Sequence, residues 1–294
     1  MVIKNYRRSF SFPIPSSKST TNNTAAPRIN GKGSASLPCR FNPFVCQLDD
    51  EIRSLKTWRS SHSPSDPSWI CEGLARLDRL HSFLLEDLLQ HPQAREVLAR
   101  RSACTDNLHE DFLRLADAFG SFRSAIVVLK QEQSATQAAI RRNHASRIAS
   151  CLRAQKKAEK ELTKIATAVS KSTANAGKSP PLSDTAELEG IVREVVAITS
   201  EVSAAAFRGI AALSSSASSS PMRAYCAVVP MLRKLSSFNK REEEEMEEEN
   251  WTNASERLEA LEKCLAEVEV VNEKLLRRII NTRVFLLNVL TTSL

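Results

Sequence analysis

Two short motifs in this chain of 294 residues contain side chains that bind nucleotides or metals in other proteins. Gly177-Lys178-Ser179 resembles the end of a phosphate-binding loop, whose backbone amides and lysine hold phosphate groups. The first glycine of such a loop would fall at Ser172, however, and no strand precedes it. His109-Glu110 begins like the helix of a zinc protease, but Leu113 stands where the second histidine belongs. Both motifs are incomplete, so we predict neither a nucleotide site nor a zinc site.

The other reactive side chains are scattered. There is no G-x-S-x-G turn or dinucleotide fingerprint, and the five histidines lie singly. We therefore predict no catalytic residue, no metal ligand and no cofactor, and we expect a protein that is not an enzyme. A remote alternative is an enzyme of unrecognised mechanism, which would need a polar pocket inside the protein, for example around His81, His109 or His144.

The cysteines also lie singly, and their number is odd. Without a C-x-x-C pair they favour a reducing compartment, and those on helices are expected to be small core residues. The seven are Cys39, Cys46, Cys71, Cys104, Cys151, Cys226 and Cys264.

The N-terminal segment contains a candidate phosphorylation motif. Arg8-Ser9-Phe10-Ser11-Phe12-Pro13 has the R-S-x-S-x-P form that phosphoserine-reading adaptors grip. Ser11 would carry the phosphate, and Pro13 would turn the chain away from the binding site. The motif residues are Arg8, Ser9, Ser11 and Pro13, and an adaptor of this class is a candidate partner.

The strongest electrostatic feature is a basic helix in the middle of the chain, opposed by only Glu159 and Glu161. It predicts contact with an anionic surface, either a membrane or a protein, or a solvated face that complements the acidic run at 242–249. No aromatic residue occurs between Phe122 and Phe207, so the stacking groups used to read nucleic acid are missing and we do not expect that partner. The candidate contact residues are Arg141, Arg142, Arg147, Arg153, Lys156, Lys157, Lys160 and Lys164.

Residues 1–46 differ in composition from the rest. They are rich in Ser, Pro, Asn and Thr, and they include seven basic residues but no acid. The formal net charge of the whole chain is +7, so this segment accounts for the excess. A segment with so little apolar surface cannot offset the entropy of ordering, and we predict a disordered basic tail.

From Leu48 onwards, apolar residues recur at helical spacing, alternating in steps of three and four. Each such stripe must pack against another. The stripes are Leu48, Ile52 and Leu55; Ile70, Leu74, Leu77, His81, Leu84 and Leu88; Leu108, Phe112, Leu115, Phe119, Phe122, Ile126 and Leu129; Leu188, Ile191, Val195, Ile198, Val202 and Leu213; and Leu258, Leu261, Leu265, Val268, Asn272, Leu275, Ile279, Leu286 and Val289.

These stripes predict an all-α fold, an elongated bundle of long amphipathic helices over residues 47–294 with the disordered tail before it. Linkers are expected near 172–184 and 214–221, and an acidic loop at 240–250. The three-four spacing of the last stripe is also typical of a coiled coil, with His81 and Asn272 as polar seam positions that set register. No uncharged apolar run reaches the roughly 18 residues of a membrane span, so we expect no transmembrane helix.

With the helices placed, the chain resembles the plant Bypass-related family over nearly its whole length. Residues 275–290, LLRRIINTRVFLLNVL, look like the family's closing helix, and residues 88–94, LLQHPQA, are similar to its proline-containing turn. Arg8 to Pro13 resembles its R-S-x-S-F-P start. Departures are His91, Arg95-Glu96 after the turn, and Phe285 where the family usually has serine.

The resemblance implies a land-plant protein of root and shoot development with no established reaction. We therefore expect a non-enzymatic interaction or scaffold protein that binds unidentified protein partners, with a peripheral membrane adaptor as the alternative. We expect it in the cytoplasm, because cleavage of a transit peptide would remove the family-like start motif. The alternatives are a plastid or a peripheral membrane location.

Overall fold

The computed structural model describes residues 42–61, 66–99, 103–142, 144–172, 184–217 and 240–291. The chain divides into Met1–Leu37 and Pro38–Leu294, and every described residue belongs to the second unit. Its helices are α1 Asn42–Ser60, α2 Pro67–Ser82, α3 Pro92–Ala99, α4 Ala103–Arg141, α5 Ala145–Ser172, α6 Asp184–Ala217 and α7 Lys240–Thr291, with a π-helical segment Phe83–Leu88 between α2 and α3. No strand occurs in these ranges. The predicted all-α bundle of long helices is confirmed.

The start of α2 shows how local sequence sets a helix boundary. The side chain of Asp66 accepts a hydrogen bond from the Ser68 amide at 3.0 Å, and Pro67 occupies the first helical position. The carboxylate satisfies an amide that has no partner within the helix, and proline loses nothing there because its position needs no amide donor. These two residues therefore set the start of α2.

The predicted tail ends earlier than expected. Helix α1 begins at Asn42, not at residue 47, and the phenyl ring of Phe44 lies 5.6 Å from the His91 ring, centroid to centroid. Phe44 and Val45 pack against the core, which offsets the cost of ordering about 1.4 further turns of helix. The remainder of the predicted disordered tail, residues 1–41, lies outside the described residues.

The linker predicted at 214–221 is wrong only in its start, since residues 218–221 lie outside the described residues, and the predicted acidic loop is wrong. Helix α6 runs on to Ala217, through the start of the linker predicted at 214–221, because Ser214 and Ala217 remain buried against its neighbours. The acidic loop predicted at 240–250 is instead the first part of α7. Glutamate is a strong helix former, and negative charge is favourable near a helix N-terminus, so the run extends the helix despite its self-repulsion. The linker predicted near 172–184 falls mostly outside the described residues.

Helix α6 is the centre of the bundle. It contacts every other described α-helix: α1, α2, α3, α4, α5 and α7. By length and composition, residues 188–217 could cross a bilayer. However, 67% of their apolar 18-residue stretch is buried inside the bundle, and the core helices of soluble proteins have the same composition. In the described part of the chain, α6 alone passes this composition test.

The core around α6 is aromatic at its middle. Phe207 stacks on Phe122 with centroids 3.9 Å apart, and it meets the edge of Phe119 at 5.6 Å. All three rings are fully buried. This cluster fixes α4 alongside α6, and the predicted stripes of α1, α2, α4, α6 and α7 are all buried.

The predicted apolar stripe of α7, from Leu258 to Val289, packs inside this bundle against α2 and α4. Its polar member Asn272 is fully buried and donates a hydrogen bond from Nδ2 to the Phe119 carbonyl at 3.4 Å. Buried polar groups need such partners, so Asn272 ties α7 to α4 at one level. That it sets the register stays a prediction, as does the coiled coil.

Two tryptophans join α1 to α2. Their indole rings stack with centroids 4.1 Å apart, and each indole N–H donates to the backbone carbonyl of the other, at 3.1 Å for Trp58 and 3.3 Å for Trp69. Gly73 lies directly under the Trp58 ring. A Cβ at Gly73 would overlap three ring carbons, the furthest of them at 2.7 Å.

We expect Gly73→Ala to lower the free energy of unfolding by about 1–3 kcal/mol, because the methyl group would push the Trp58 ring out of its stack. The matched control is Gly120→Ala in α4, where a Cβ meets nothing within 4 Å. There we expect a gain of about 0.5–1 kcal/mol from reduced backbone entropy. Urea unfolding measures both, and equal effects of the two substitutions would contradict the packing argument.

His81 is a fully buried polar group between α2 and α6. Its Nε2 lies 2.9 Å from Thr199 Oγ1, and its ring meets the edge of Phe112 at 6.2 Å. Burial, with the charge of Arg278 as a smaller contribution, lowers the pKa of His81 from 6.5 to about 4. Arg278 is itself paired with Asp78 and Glu86. His81 is therefore neutral in the folded protein at physiological pH.

This lowered pKa predicts a loss of stability in acid. In the unfolded chain His81 binds a proton below about pH 6.5, whereas in the folded protein it stays neutral down to about pH 4. Its contribution is thus complete above pH 6.5 and is lost as the pH falls towards 4. For His81→Gln we expect the decrease in unfolding free energy between about pH 7 and pH 5 to be smaller by about 2 kcal/mol.

Urea unfolding at the two pH values measures this difference. His144→Gln is the control, since it removes an exposed histidine outside the core. An unchanged pH dependence in His81→Gln would show that His81 does not titrate in this way.

Candidate interaction surface

Helix α5 is oriented by its apolar face. Ile148, Leu152, Leu162, Ala166 and Val169 are buried, and the helix packs on α4 and α6. Together with the buried Gln155 and Ala158, these residues recur every three or four positions, so they lie on one side of the helix. The opposite side must face solvent, and that side carries the positive charge.

The charged side of α5 forms a continuous row of six exposed side chains. They lie within an arc of about 100° and extend for about 27 Å at the usual helical rise. We call this row the basic stripe; it consists of Arg153, Lys156, Lys157, Lys160, Lys164 and Lys171. Lys171 was not among the predicted contact residues, although its helical spacing from Lys164 places it in the same row.

The structure divides the other predicted contact residues between two helices. The sequence suggested one basic helix, but Arg141 is the last residue of α4, Arg142 follows it, and Arg147 is in the first turn of α5. All three are exposed. The chain reverses here because α5 must fold back to cover the apolar face of α4, so only five of the eight predicted residues share the stripe.

The two acids of α5 have different positions. Glu159 accepts a hydrogen bond from Ser214 Oγ of α6 at 2.9 Å, so its charge is directed towards the packed side of the helix. Gln155 donates to the same Ser214 oxygen at 2.8 Å. Glu161 pairs with Lys164 at 3.0 Å on the exposed side. Only Glu161 therefore lies beside the basic stripe, whereas the sequence suggested that both Glu159 and Glu161 oppose its positive charge.

A groove runs beside the stripe, between α4 and α5. It consists of two cavities of about 310 and 590 Å³ that share Ser121 and Ile165, and the smaller cavity is also lined by Val196 and Ser200 of α6. The larger cavity is lined mainly by small and apolar residues. Its space exists because the alanines between α4 and α5 have small side chains that do not fill the gap between the helices. Its residues are Ser121, Ser124, Ala125 and Val128 of α4 with Ala154, Lys157, Ala158, Glu161 and Ile165 of α5. We call this the α4–α5 groove.

Lys157 belongs to both the stripe and the rim of the groove. Near the far end of the groove, Asp111 pairs with Arg114 at 2.7 Å, and burial raises the pKa of Asp111 against the opposing effect of that arginine. The surface thus combines an apolar trough with a positively charged edge. This arrangement suits an amphipathic ligand whose apolar side enters the groove and whose acids meet the stripe.

The three histidines named as candidates for an enzyme pocket have different partners. His81 contacts Thr199 in the core, His109 lies 3.7 Å from Glu110 on the same helix, and His144 is exposed at the turn before α5. Among the described residues, no group of three or more His, Cys, Asp or Glu side chains has the arrangement of a metal site. The phosphorylation motif at Arg8, Ser9, Ser11 and Pro13 lies outside the described residues.

Sequence reasoning missed the proximity of Cys71 in α2 to Cys264 in α7. The Cys264 thiol raises the pKa of the Cys71 thiol. Their positions in the sequence give no signal of this pairing, because neither belongs to a local cysteine motif.

Comparison with known proteins identifies the family. No curated protein and no solved structure matches the chain significantly. The family model described as Protein BPS1 matches residues 73–289, from α2 to the end of the closing helix. Since this match covers well over half of the chain, the protein belongs to the BPS1 family, and the predicted Bypass-related membership is confirmed.

Proposed function

We propose that this chain is a non-enzymatic interaction protein of plant root and shoot development that holds an acidic protein partner against α5. The developmental role is supported by family membership alone. The observation that supports the binding role is the basic stripe, whose six side chains are exposed while the opposite face of α5 is fixed in the core. The partner we propose is an amphipathic helix with carboxylates along one edge.

The positions of the polar side chains in the interior support a role without catalysis. Gln133 donates to the Leu258 carbonyl of α7, and Gln155 donates to the Ser214 carbonyl of α6 at 3.1 Å. Together with His81 and Asn272, these residues connect helices to one another. A side chain held in this way stabilises the scaffold and keeps its surfaces in fixed relative positions.

A cytoplasmic location belongs to the same proposal. Cys46, Cys71, Cys151 and Cys264 carry thiols that form no disulfide. Free thiols are typical of a reducing compartment, where structural disulfides are rare. A phosphoserine-reading adaptor that binds Ser11 also stays a prediction.

The stripe can be tested by charge reversal. Replacing Lys156, Lys157 and Lys160 with Glu should abolish recovery of the specific partner in affinity purification of the tagged protein from root tissue, because six units of charge change at its binding edge. The control replaces Arg257, Lys263 and Lys274 of α7, which are also exposed, with Glu. It has the same net charge change on another helix and should keep the partner.

A further variant separates the groove from the charge. Ala154→Trp would fill the α4–α5 groove without changing charge, and it should also weaken recovery of the partner. Circular dichroism checks that each variant is folded. Partners recovered equally by the wild type and the Lys156, Lys157 and Lys160 variant would contradict the proposal.

A second candidate function is peripheral membrane binding. It is favoured by the length of the stripe, since a single row of about 27 Å on one side of a helix can contact a flat anionic surface. Each basic side chain near such a surface contributes about 1 kcal/mol. The same charge also attracts an acidic protein, so the two functions need separate experiments.

Flotation with vesicles of phosphatidylcholine, with and without phosphatidylserine, tests this function. If it is correct, the wild type floats only with phosphatidylserine and detaches at high salt. The Lys156, Lys157 and Lys160 variant should bind at least about 100-fold more weakly, which corresponds to three lost contributions. A wild type that stays at the bottom of the gradient, or a variant that floats equally well, would exclude this second function.

A further inference from the structure

The basic stripe of α5 has few acidic partners in its own chain. In the described part of the chain, Lys164 forms an ion pair with Glu161, and the other five members of the stripe form none. All six side chains are exposed. Most of the positive charge of the stripe is therefore available to a second molecule.

The first part of α7 has the opposite charge. Residues 242–249 are helical, and seven of these eight positions are glutamate. Because an α-helix turns by about 100° per residue, every side of this segment carries glutamates. So many carboxylates cannot all be removed from water without compensating charge, and a basic surface of another molecule supplies that charge. We call residues 242–249 the acidic segment.

Helix α7 extends past the end of α4. The two helices are antiparallel, since Glu262 precedes Asn272 in α7 and yet accepts a hydrogen bond from Gln137, nearer the end of α4. Beyond this contact α4 has four residues left, whereas α7 has 22 before its first residue is reached. At the usual helical rise α7 therefore extends roughly 15–27 Å past α4, the lower value following from the contact of Gln133 with Leu258. The acidic segment lies within this extension.

These lengths fit two copies of the chain related by a two-fold axis. Helix α5 begins just after the end of α4, so Arg153 and Lys160 lie about 12 and 22 Å along α5 from that end of the bundle. When two bundles meet side by side at these ends and run in opposite directions, the extension of one α7 lies alongside the same stretch of the other α5. Two-fold symmetry makes this contact twice in each dimer.

We propose that the basic stripe binds the acidic segment of a second copy of this chain, in a two-fold symmetric dimer. The inference rests on the proposed function only in taking the stripe as a protein-binding surface, and it names one acidic partner for that surface. Another acidic protein would have to displace the second copy, so self-association regulates access to the stripe.

The net charge of each copy does not prevent this contact. The formal charge of +7 equals the charge of the seven basic residues in the N-terminal segment 1–46, so the charges of the remaining chain balance. At physiological salt, repulsion between exposed charges is screened beyond about 8 Å. The direct contacts between the stripe and the acidic segment are shorter than this, so they retain most of their attraction.

Sedimentation velocity of the purified full-length chain tests the dimer. We expect a dimer at about 0.1 M salt that dissociates at about 1 M, where the screening length falls from about 10 to about 3 Å. Replacing Arg153, Lys156, Lys157 and Lys160 with Glu should give a monomer at both salt concentrations. Replacing all seven glutamates of the acidic segment with Lys should do the same, because each variant now brings like charges together.

A mixture of these two variants is the decisive experiment. At low salt an equimolar mixture should restore the dimer, because each stripe then meets an acidic or basic segment of opposite charge. A folding defect in either variant would not be corrected by mixing. The control replaces four exposed bases of α7 with Glu and should keep the dimer; these are Arg257, Lys263, Lys274 and Arg277.

A wild type that is monomeric at low salt, a dimer that persists unchanged at high salt, a species larger than a dimer, or a mixture that stays monomeric would overturn the proposal. These measurements need no other protein, so they are separate from the test of the proposed function. A monomeric wild type whose stripe variant still loses its partner from root tissue would overturn the dimer and leave the proposed function in place. A dimer whose stripe variant keeps that partner would support this inference and contradict the proposed function.

Discussion

Helix α6 is apolar on nearly every side, and a helix of this kind is stable in water only when other helices cover it. Its buried residues include large side chains such as Phe207 and Ile210, and also small ones such as Ala204 and Ser203. The small residues let neighbouring helices approach, while the large ones fill the space between them. The arrangement of α1, α2, α4, α5 and α7 follows from this requirement, because each of them buries its own stripe against α6 or against a helix that touches it.

The polar groups inside the bundle limit how these helices can slide. His81 meets Thr199, Asn272 meets the Phe119 carbonyl, and Gln155 meets Ser214, so each contact joins two helices at one level. A shift by one turn would leave these groups without partners in an apolar core, at a cost of roughly 1–3 kcal/mol each. The apolar stripes hold the helices together, and the polar contacts favour one alignment of them.

A scaffold fixed in this way gives α5 its functional character. One face of the helix is held by α4 and α6, so the lysines and arginine of the opposite face cannot turn inwards. The small residues in the seam with α4, above all Ala154 and Ala158, leave the groove beside them. A positively charged edge beside an apolar trough suits the amphipathic anionic partner that we propose. The proposed function is therefore a consequence of packing and does not require a reactive group.

The sequence by itself determined which residues are buried and which class of fold results. The regular spacing of apolar residues is a local property, so the stripes from Leu48 to Val289 could be read directly, as could the all-α class and the exposure of Lys156 or Lys160. It did not determine the ends of helices such as Asn42 and Ala217, where packing or local charge decided how far the helix continued. The family resemblance was equally accessible, because its motifs are continuous segments of chain.

Only the tertiary structure decided which stripes face one another. The proximity of Cys71 to Cys264, the hydrogen bond between Ser214 and Glu159 and the position of Gly73 under Trp58 each relate residues that no local spacing connects. Helical periodicity fixes the direction of a side chain relative to its own helix axis, but it contains no information about the neighbouring helix. That choice depends on how all the apolar faces are buried at once, which is a property of the folded chain as a whole.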